Sequence, residues 1–243
     1  MKLLLRGIIV FIFLLLIWQA IVSFFRLPSY ILPGPLQVFN TLYIQADLIG
    51  HESIPTVIET FLGLLLGILL GCLAAFGMAF FKPLAWGLSP ILLVSQAIPT
   101  FAIAPLLVIW LGYGLASKVM TTIIMLFFPI TNAFYDGLHR TEQGWLDLAK
   151  TMNASRFKTF WHIRIPAALP HLASGIRIAT AIAPIGAVIG EWVGSSRGLG
   201  FLMLNANGHM QIDLMFAALF VLITFSLSLY FIVDYLLKKI IYW

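Results

Sequence analysis

Six apolar stretches, each long enough to cross a lipid bilayer, dominate this chain: residues 7–25, 57–80, 88–111, 119–136, 172–193 and 214–237. A spanning helix takes about 20 apolar residues, and a backbone inside the hydrocarbon must satisfy its own hydrogen bonds, which a helix does and an open strand does not. The pattern predicts an all-α integral membrane protein with six transmembrane helices. Composition agrees, since 61% of the 243 residues are hydrophobic and only 9% are charged, against roughly 45–50% apolar in soluble domains. Lys2 and Arg6 ahead of the first stretch also suit a secretory signal. Its apolar run is long for a signal, however, and no small-x-small cleavage site follows before Arg26, so a retained helix is expected. The single cysteine, Cys72, excludes an intrachain disulfide and a cysteine-built zinc cluster.

An even number of spans puts both termini on one side, and the basic residues say which. On the terminal side fall Lys2, Arg6, Lys82, Arg140, Lys150, Arg156, Lys158, Arg164, Lys238 and Lys239; the opposite side has Arg26, Lys118 and Arg197. That imbalance predicts both termini in the cytoplasm. It also accounts for the net charge of +5 without a nucleic-acid partner. The chain then divides into an N-terminal transmembrane helix with an extracytoplasmic linker (1–50), a transmembrane core (51–238) containing a cytoplasmic loop (138–170), and a cytoplasmic tail (239–243).

That loop, "LHRTEQGWLDLAKTMNASRFKTFWHIRIPAALPH", gathers many of the chain's few charges in one internal segment. Trp145, Leu148, Ala149 and Met152 recur at the i, i+3, i+4, i+7 spacing of one helical face, while Glu142, Asp147 and Lys150 fall elsewhere around the wheel. The spacing predicts a short amphipathic helix. Asn153 is suited to the left-handed conformation that ends such a helix, and Ser155 to capping a second one through Phe157, Phe160 and Trp161. Pro166 and Pro170 should close the segment before the next span. From these residues alone two readings stay open: a helix lying on anionic lipid, or one docking a soluble partner.

The loop resembles a known motif. Permeases of binding-protein-dependent ABC transporters carry E-A-A-x3-G-x9-I-x-L-P in the cytoplasmic loop before the penultimate helix. Here the matching positions are Asp147, Leu148, Ala149, Asn153, Ile163, Ile165 and Pro166, at identical spacing over twenty residues. Asp147, Leu148, Asn153 and Ile165 depart from the motif's letters. Asp keeps the carboxylate, and Asn is the residue next best to Gly at a left-handed position. The resemblance runs from "LPGP" at 32–35 to the C-terminus and is nearest to permeases for taurine, alkanesulfonates, nitrate and thiamine precursors, through "SQAIPTFAIAPLLVIWLGYGLASKV" and "GEWVGSSRGLGFL". It implies a type I ABC importer permease fold in the cytoplasmic (inner) membrane, a permease homodimer, two cytoplasmic ATPase subunits and an extracytoplasmic substrate-binding protein. It also implies that the loop helix is the coupling helix, with Trp145, Asp147, Leu148, Ala149, Met152, Asn153, Ile163, Ile165 and Pro166 as the ATPase-coupling residues.

The sequence contains no G-x-x-x-x-G-K-[S/T], so ATP is expected on a partner subunit and no cofactor on this chain. H-E-x-x-H is missing too, and His51, His139, His162, His171 and His209 are scattered over loops. No acid pair, metal set or nucleophile points to an enzyme. Gly63, Gly67, Gly71, Ala75 and Ala79 repeat every four residues and predict a packed helix face, within the subunit or between subunits. Pro90, Pro99 and Pro105 surround Ser95, Gln96 and Thr100, marking a translocation-pathway segment or a kinked structural helix. Pro184 and Gly186 are expected to break the fifth stretch similarly. Glu59, Asp136 and Asp234 lie near ends of apolar stretches, where headgroup contact explains them. Glu191 follows an uninterrupted apolar run; it reads either as a pathway or gate residue or as a structural partner of Arg197 or Arg177. The expected function is the permease subunit of a bacterial ABC importer, with a hydroxymethylpyrimidine-type thiamine precursor as substrate. The alternatives are a sulfonate, taurine or nitrate permease, and a gradient-driven secondary transporter, for which the sequence shows no internal repeat.

Overall fold

The structure, a computed structural model, describes residues 2–241. The side chains of Lys2 and Arg6, counted toward orientation, and the last two residues of the 239–243 tail lie outside the described residues. Every regular element among the described residues is helical: α1 (Lys2–Phe25), α2 (Pro35–Ile44), α3 (Ala46–Phe80), α4 (Lys82–Ala97), α5 (Thr100–Leu111), α6 (Leu115–His139), α7 (Gln143–Thr151), α8 (Arg156–Thr159), a π-helical turn (Phe160–Arg164), α9 (Ile165–Gly194), α10 (Leu199–Gly208) and α11 (Ile212–Ile240).

Among the described residues, four helical runs are long and apolar enough to cross a membrane: α3, α6, the run Arg156–Gly194 and α11. A fifth is possible only if α4 and α5, bent by 106° at Ile98–Pro99, count together. The described apolar part of α1, Ile9–Phe25, falls just short by the same measure. Length and composition thus support four or five spans, where six are predicted.

Boundaries differ from expectation in instructive ways. The predicted third span is the broken pair: Pro99 has no N–H to donate and biases Ile98 to the extended region, where it stands at ψ 120°. The linker expected within 1–50 contains α2 and the start of α3. Pro166 and Pro170 do not close the loop. Pro166 lies in the first turn of α9, directly after the π-turn, and Pro170 is inside the helix. Nor do Pro184 and Gly186 break α9, which continues through both.

Two compact units divide the chain. The first comprises Met1–Pro55 and Ser196–Thr224. In it Trp18 packs on Phe216 at 5.5 Å between ring centroids, Phe39 packs edge-on against Phe220 at 5.3 Å, and Thr41 Oγ1 donates to Asp213 Oδ2 at 2.7 Å. Glu52 Oε2 accepts from the Gly198 N–H, placing a carboxylate at the start of α10, where unpaired N–H groups favour negative charge.

The second unit is Thr56–Ser195 with Phe225–Trp243, and α3, α6 and α9 form its core. The stripe of small residues lies on α6. A Cβ on Gly63 would overlap Thr122, one on Gly67 would stand 3.2 Å from Leu126 Cβ, and one on Gly71 2.8 Å from Ile130 Cγ2. Ala75 shares a buried cluster with Phe134 and Leu138, and Ala79 packs at its edge. Partners on both helices rise together with a constant offset, so α3 and α6 run parallel. On α9 the order reverses: Gly186 meets Thr122, Gly190 meets Lys118, and Gly175 meets Ala133, so α9 runs antiparallel to α6. Since α3 and α6 are parallel, α4 and α5 together return the chain from the C-terminal end of one to the N-terminal start of the other. The bent pair therefore makes one net passage along the bundle.

Candidate functional site

Helix α7 forms over Gln143–Thr151, and its end matches the chemistry of its residues. Asn153 is left-handed (φ 52°). Its N–H donates to Lys150 O at 2.9 Å, and the Ala154 N–H donates to Ala149 O at 2.9 Å. This is the paired 5→2 and 6→1 arrangement of a Schellman motif, which satisfies the helix's last carbonyls. Ser155 then accepts from the Lys158 N–H at 3.3 Å and starts α8. We expect Asn153→Gly to retain the loop, whereas Asn153→Val should destabilise it by about 1–2 kcal/mol, because a β-branched side chain crowds the following carbonyl in this conformation. Protease nicking of the loop in membranes would measure the difference.

The predicted face is only partly a surface. Trp145, Leu148 and Met152 are 59%, 61% and 74% exposed, while Ala149 is 3% exposed and packs inside its own chain. Grouping Ala149 with the outward residues is therefore incorrect: the small side chain lets the helix sit down, and the large ones at 145, 148 and 152 project away. Asp147 pairs with Lys150 at 2.8 Å on the exposed side. Ile163, Ile165 and Pro166 are half-buried along the run into α9.

An aromatic cluster ties this segment to the core. Phe160, 5% exposed, shares a buried cluster with Ala75, Phe134, Leu138 and Ala168, and its ring lies 4.3 Å from that of Phe80. Phe76 packs on Phe134 and Trp161 at 5.0 and 6.5 Å. The π-turn Phe160–Arg164 carries this contact and continues directly into α9.

At the other end of the same helices lies a feature that the sequence pattern does not reveal. Lys118 Nζ donates to Glu59 Oε1 at 2.7 Å, with the two side chains 9% and 2% exposed. Thr56 Oγ1 donates to Glu191 Oε1 at 2.6 Å, and the Glu191 carboxylate neighbours that of Glu59. Glu59 is thus no headgroup contact and Lys118 no loop charge. Arg177, offered as a partner for Glu191, instead meets Asp234 at 2.6 Å. One signal was available: Glu59 stands one step before Gly63 on the same four-residue stripe, and a charge there must be buried if the glycines are.

Ser95, Gln96, Pro99 and Thr100 gather at the break between α4 and α5. Ser95 Oγ donates back to Leu92 O at 2.7 Å, and Gln96 and Pro99 are exposed. A groove beside the break is lined by Pro90, Ile91, Val94, Ser95 and Ile98. Glu191, 1% exposed, is not at this break but in the charged junction.

Comparison with known proteins is consistent over most of the chain. Residues 67–242 match the family model of binding-protein-dependent transport system inner membrane components. A probable ABC transporter permease protein of Haemophilus influenzae is 51% identical over 98% of each chain. The formylaminopyrimidine transport permease protein ThiX of Halalkalibacterium halodurans is 34% identical, covering 87% of this chain and 85% of that one. The riboflavin transport system permease protein RibX of Chloroflexus aurantiacus is 34% identical over 95% of this chain and 87% of its own. Among solved structures, a chain of an amino acid ABC transporter crystallised with histidines has a TM-score of 0.65 at 16% identity, covering 84% of this chain and 97% of that one, a likeness of fold alone.

Proposed function

This chain belongs to the family of binding-protein-dependent transport system inner membrane components, and from that premise we propose that it forms the translocation pathway of an ABC importer for a pyrimidine-type thiamine precursor. It works as a homodimer with two cytoplasmic ATPases and an extracytoplasmic binding protein. The six spans are α1, α3, the bent pair α4–α5, α6, α9 and α11, with both termini in the cytoplasm. The division into 1–50, 51–238 and 239–243 is kept with this reading, its boundaries falling within α3 and α11. Carrying most of this reading is the exposed row Trp145, Leu148 and Met152 on a helix fastened to the core through Phe160: an apolar ridge displayed by a rigid base suits a cleft on an ATPase.

The α4–α5 break, with Ser95, Gln96, Pro99 and Thr100, serves as the pathway segment. A non-helical turn within an apolar stretch is tolerated where it is buried in protein or faces a water-filled cavity, and a homodimer would provide one. Support for the substrate comes from the relative named for formylaminopyrimidine transport and from the relative named for riboflavin, both nitrogen heterocycles.

The test is uptake by proteoliposomes holding this chain, its ATPase and its binding protein. ATP-dependent accumulation of labelled formylaminopyrimidine or hydroxymethylpyrimidine is expected. Accumulation of taurine or an alkanesulfonate instead would overturn the substrate, and uptake driven by an ion gradient without ATP would overturn the importer class. Orientation is checked separately in a Cys72→Ser background. Cysteines at 142 and 156 should label only after the cytoplasmic side is opened, and one at 197 from outside.

A further inference from the structure

The interface of α3 with α6 repeats itself. A small residue meets a larger one every four positions, as Gly63 on Thr122, Gly67 on Leu126, Gly71 on Ile130 and Ala75 beside Phe134. Sliding α3 by one turn, about 5.4 Å, would place Gly67 on Thr122, Gly71 on Leu126 and Ala75 on Ile130. A small residue would still meet a larger one at every level. Packing of this kind therefore discriminates weakly between the two registers, and one-turn shifts of packed elements are a known mode of switching.

What does discriminate is the end of the ladder. Glu59 and Lys118 occupy its next step on α3 and α6, and Glu191 of α9 joins them through Thr56. All three charged side chains are at least nine-tenths buried. In the slipped register Lys118 would face Gly63 and lose its carboxylate, stranding charges in a low-dielectric interior. A buried ion pair is not the most stabilising way to fill such a level, because apolar residues of similar volume often do as well. The chain itself continues the ladder with small and apolar residues at the following steps. Charge at this one step adds register, not cohesion.

We propose that the Glu59–Lys118–Glu191 junction is a register lock. It keeps α3, α6 and α9 one body, so that displacement entering at the Phe160 cluster reaches the opposite end of the bundle instead of being lost as a slip of α3. The link to transport rests on the function proposed above; the lock itself does not.

The experiment reads register directly. In a Cys72→Ser background, the pair Ala75→Cys with Phe134→Cys reports the native register, and Ala75→Cys with Ile130→Cys the register one turn away, because a disulfide forms only when Cα atoms come within about 7 Å. With the charges present, the native pair should cross-link in membranes and the displaced pair should not. Replacing both partners, Glu59→Leu with Lys118→Met, should make the displaced pair cross-link at comparable yield and lower ATP-driven uptake at least tenfold, with the ATPase still bound. Cross-linking confined to the native pair, with uptake like the parent's, would show that packing alone sets the register and overturn the proposal. If the double variant does not insert, Glu59→Gln, which keeps an acceptor for Lys118 but not its charge, should produce a minor displaced cross-link. A native-only pattern there would equally overturn the lock. Cross-links form whether or not the chain transports, so a parent that fails to import would refute the functional reading and leave the register test standing.

Discussion

A chain carrying Leu148→Glu together with Met152→Glu is expected to insert and fold normally yet to lose its ATPase subunit on purification, and uptake with it. Both side chains are largely exposed, at 61% and 74%. In a docked complex each would leave a carboxylate without a partner in an apolar contact. A penalty of about 3 kcal/mol for the pair weakens association roughly 100-fold. The choice of position matters. Ala149→Glu would drive a charge into a site already filled by the chain itself, disrupting the loop before any partner arrives, so its failure could not separate docking from folding. A helix lying on anionic lipid predicts another pattern: neutralising Lys150, Arg156 and Lys158 should then hurt at least as much as the two glutamates. Retention of ATPase by the double glutamate variant, with loss only on charge neutralisation, would sink the docking role.

What the sequence reveals follows from how local each signal is. The end of α7 is legible because a Schellman motif is written in adjacent residues, and Asn153 and Ser155 do locally what their side chains favour. The small-residue stripe is legible as a face for the same reason, since a four-residue period needs no knowledge of the partner helix. Its occupant is not: that Thr122, Leu126 and Ile130 lie across it depends on α4 and α5 bringing α6 back parallel. Pairing across long separations escapes the sequence throughout. Lys118 reads as a loop charge because the apolar stretch begins at 119, yet α6 starts at Leu115 and the ammonium reaches Glu59. Ala149 is misplaced by a wheel that shows which residues share a face but not which of them is small enough to be pressed against the rest of the chain. Proline misleads in both directions. Pro99 coincides with a sharp break, whereas α9 runs through Pro184 without one. The difference lies in surroundings: Pro184 is buried in a helix that α6 supports along its length through Gly175, Gly186 and Gly190, while Pro99 is exposed.

That close support gives the second large effect. Gly190→Ala together with Gly186→Ala is expected to lower stability in detergent by about 2–6 kcal/mol, the cost of overpacking at two sites. A Cβ at Gly190 would stand 2.8 Å from Lys118 Cα, and one at Gly186 2.9 Å from Thr122 Cα. Both obstacles are backbone, which cannot swing aside as a side-chain tip would, so α6 and α9 must separate along the contact and carry Lys118 away from Glu59. The same chemical change where no neighbour stands should act with the opposite sign. Gly50 is an exposed position within α3, and a methyl carbon added there would meet nothing within 4 Å. Gly50→Ala should stabilise by about 0.5–1 kcal/mol, because alanine has less backbone freedom to lose in a helix. Thermal unfolding of the purified chain followed by circular dichroism would report both. If Gly186→Ala with Gly190→Ala melts where the parent does, α6 and α9 are not in backbone contact in the membrane, and the three-helix core would have to be rebuilt with Lys118 farther from α9.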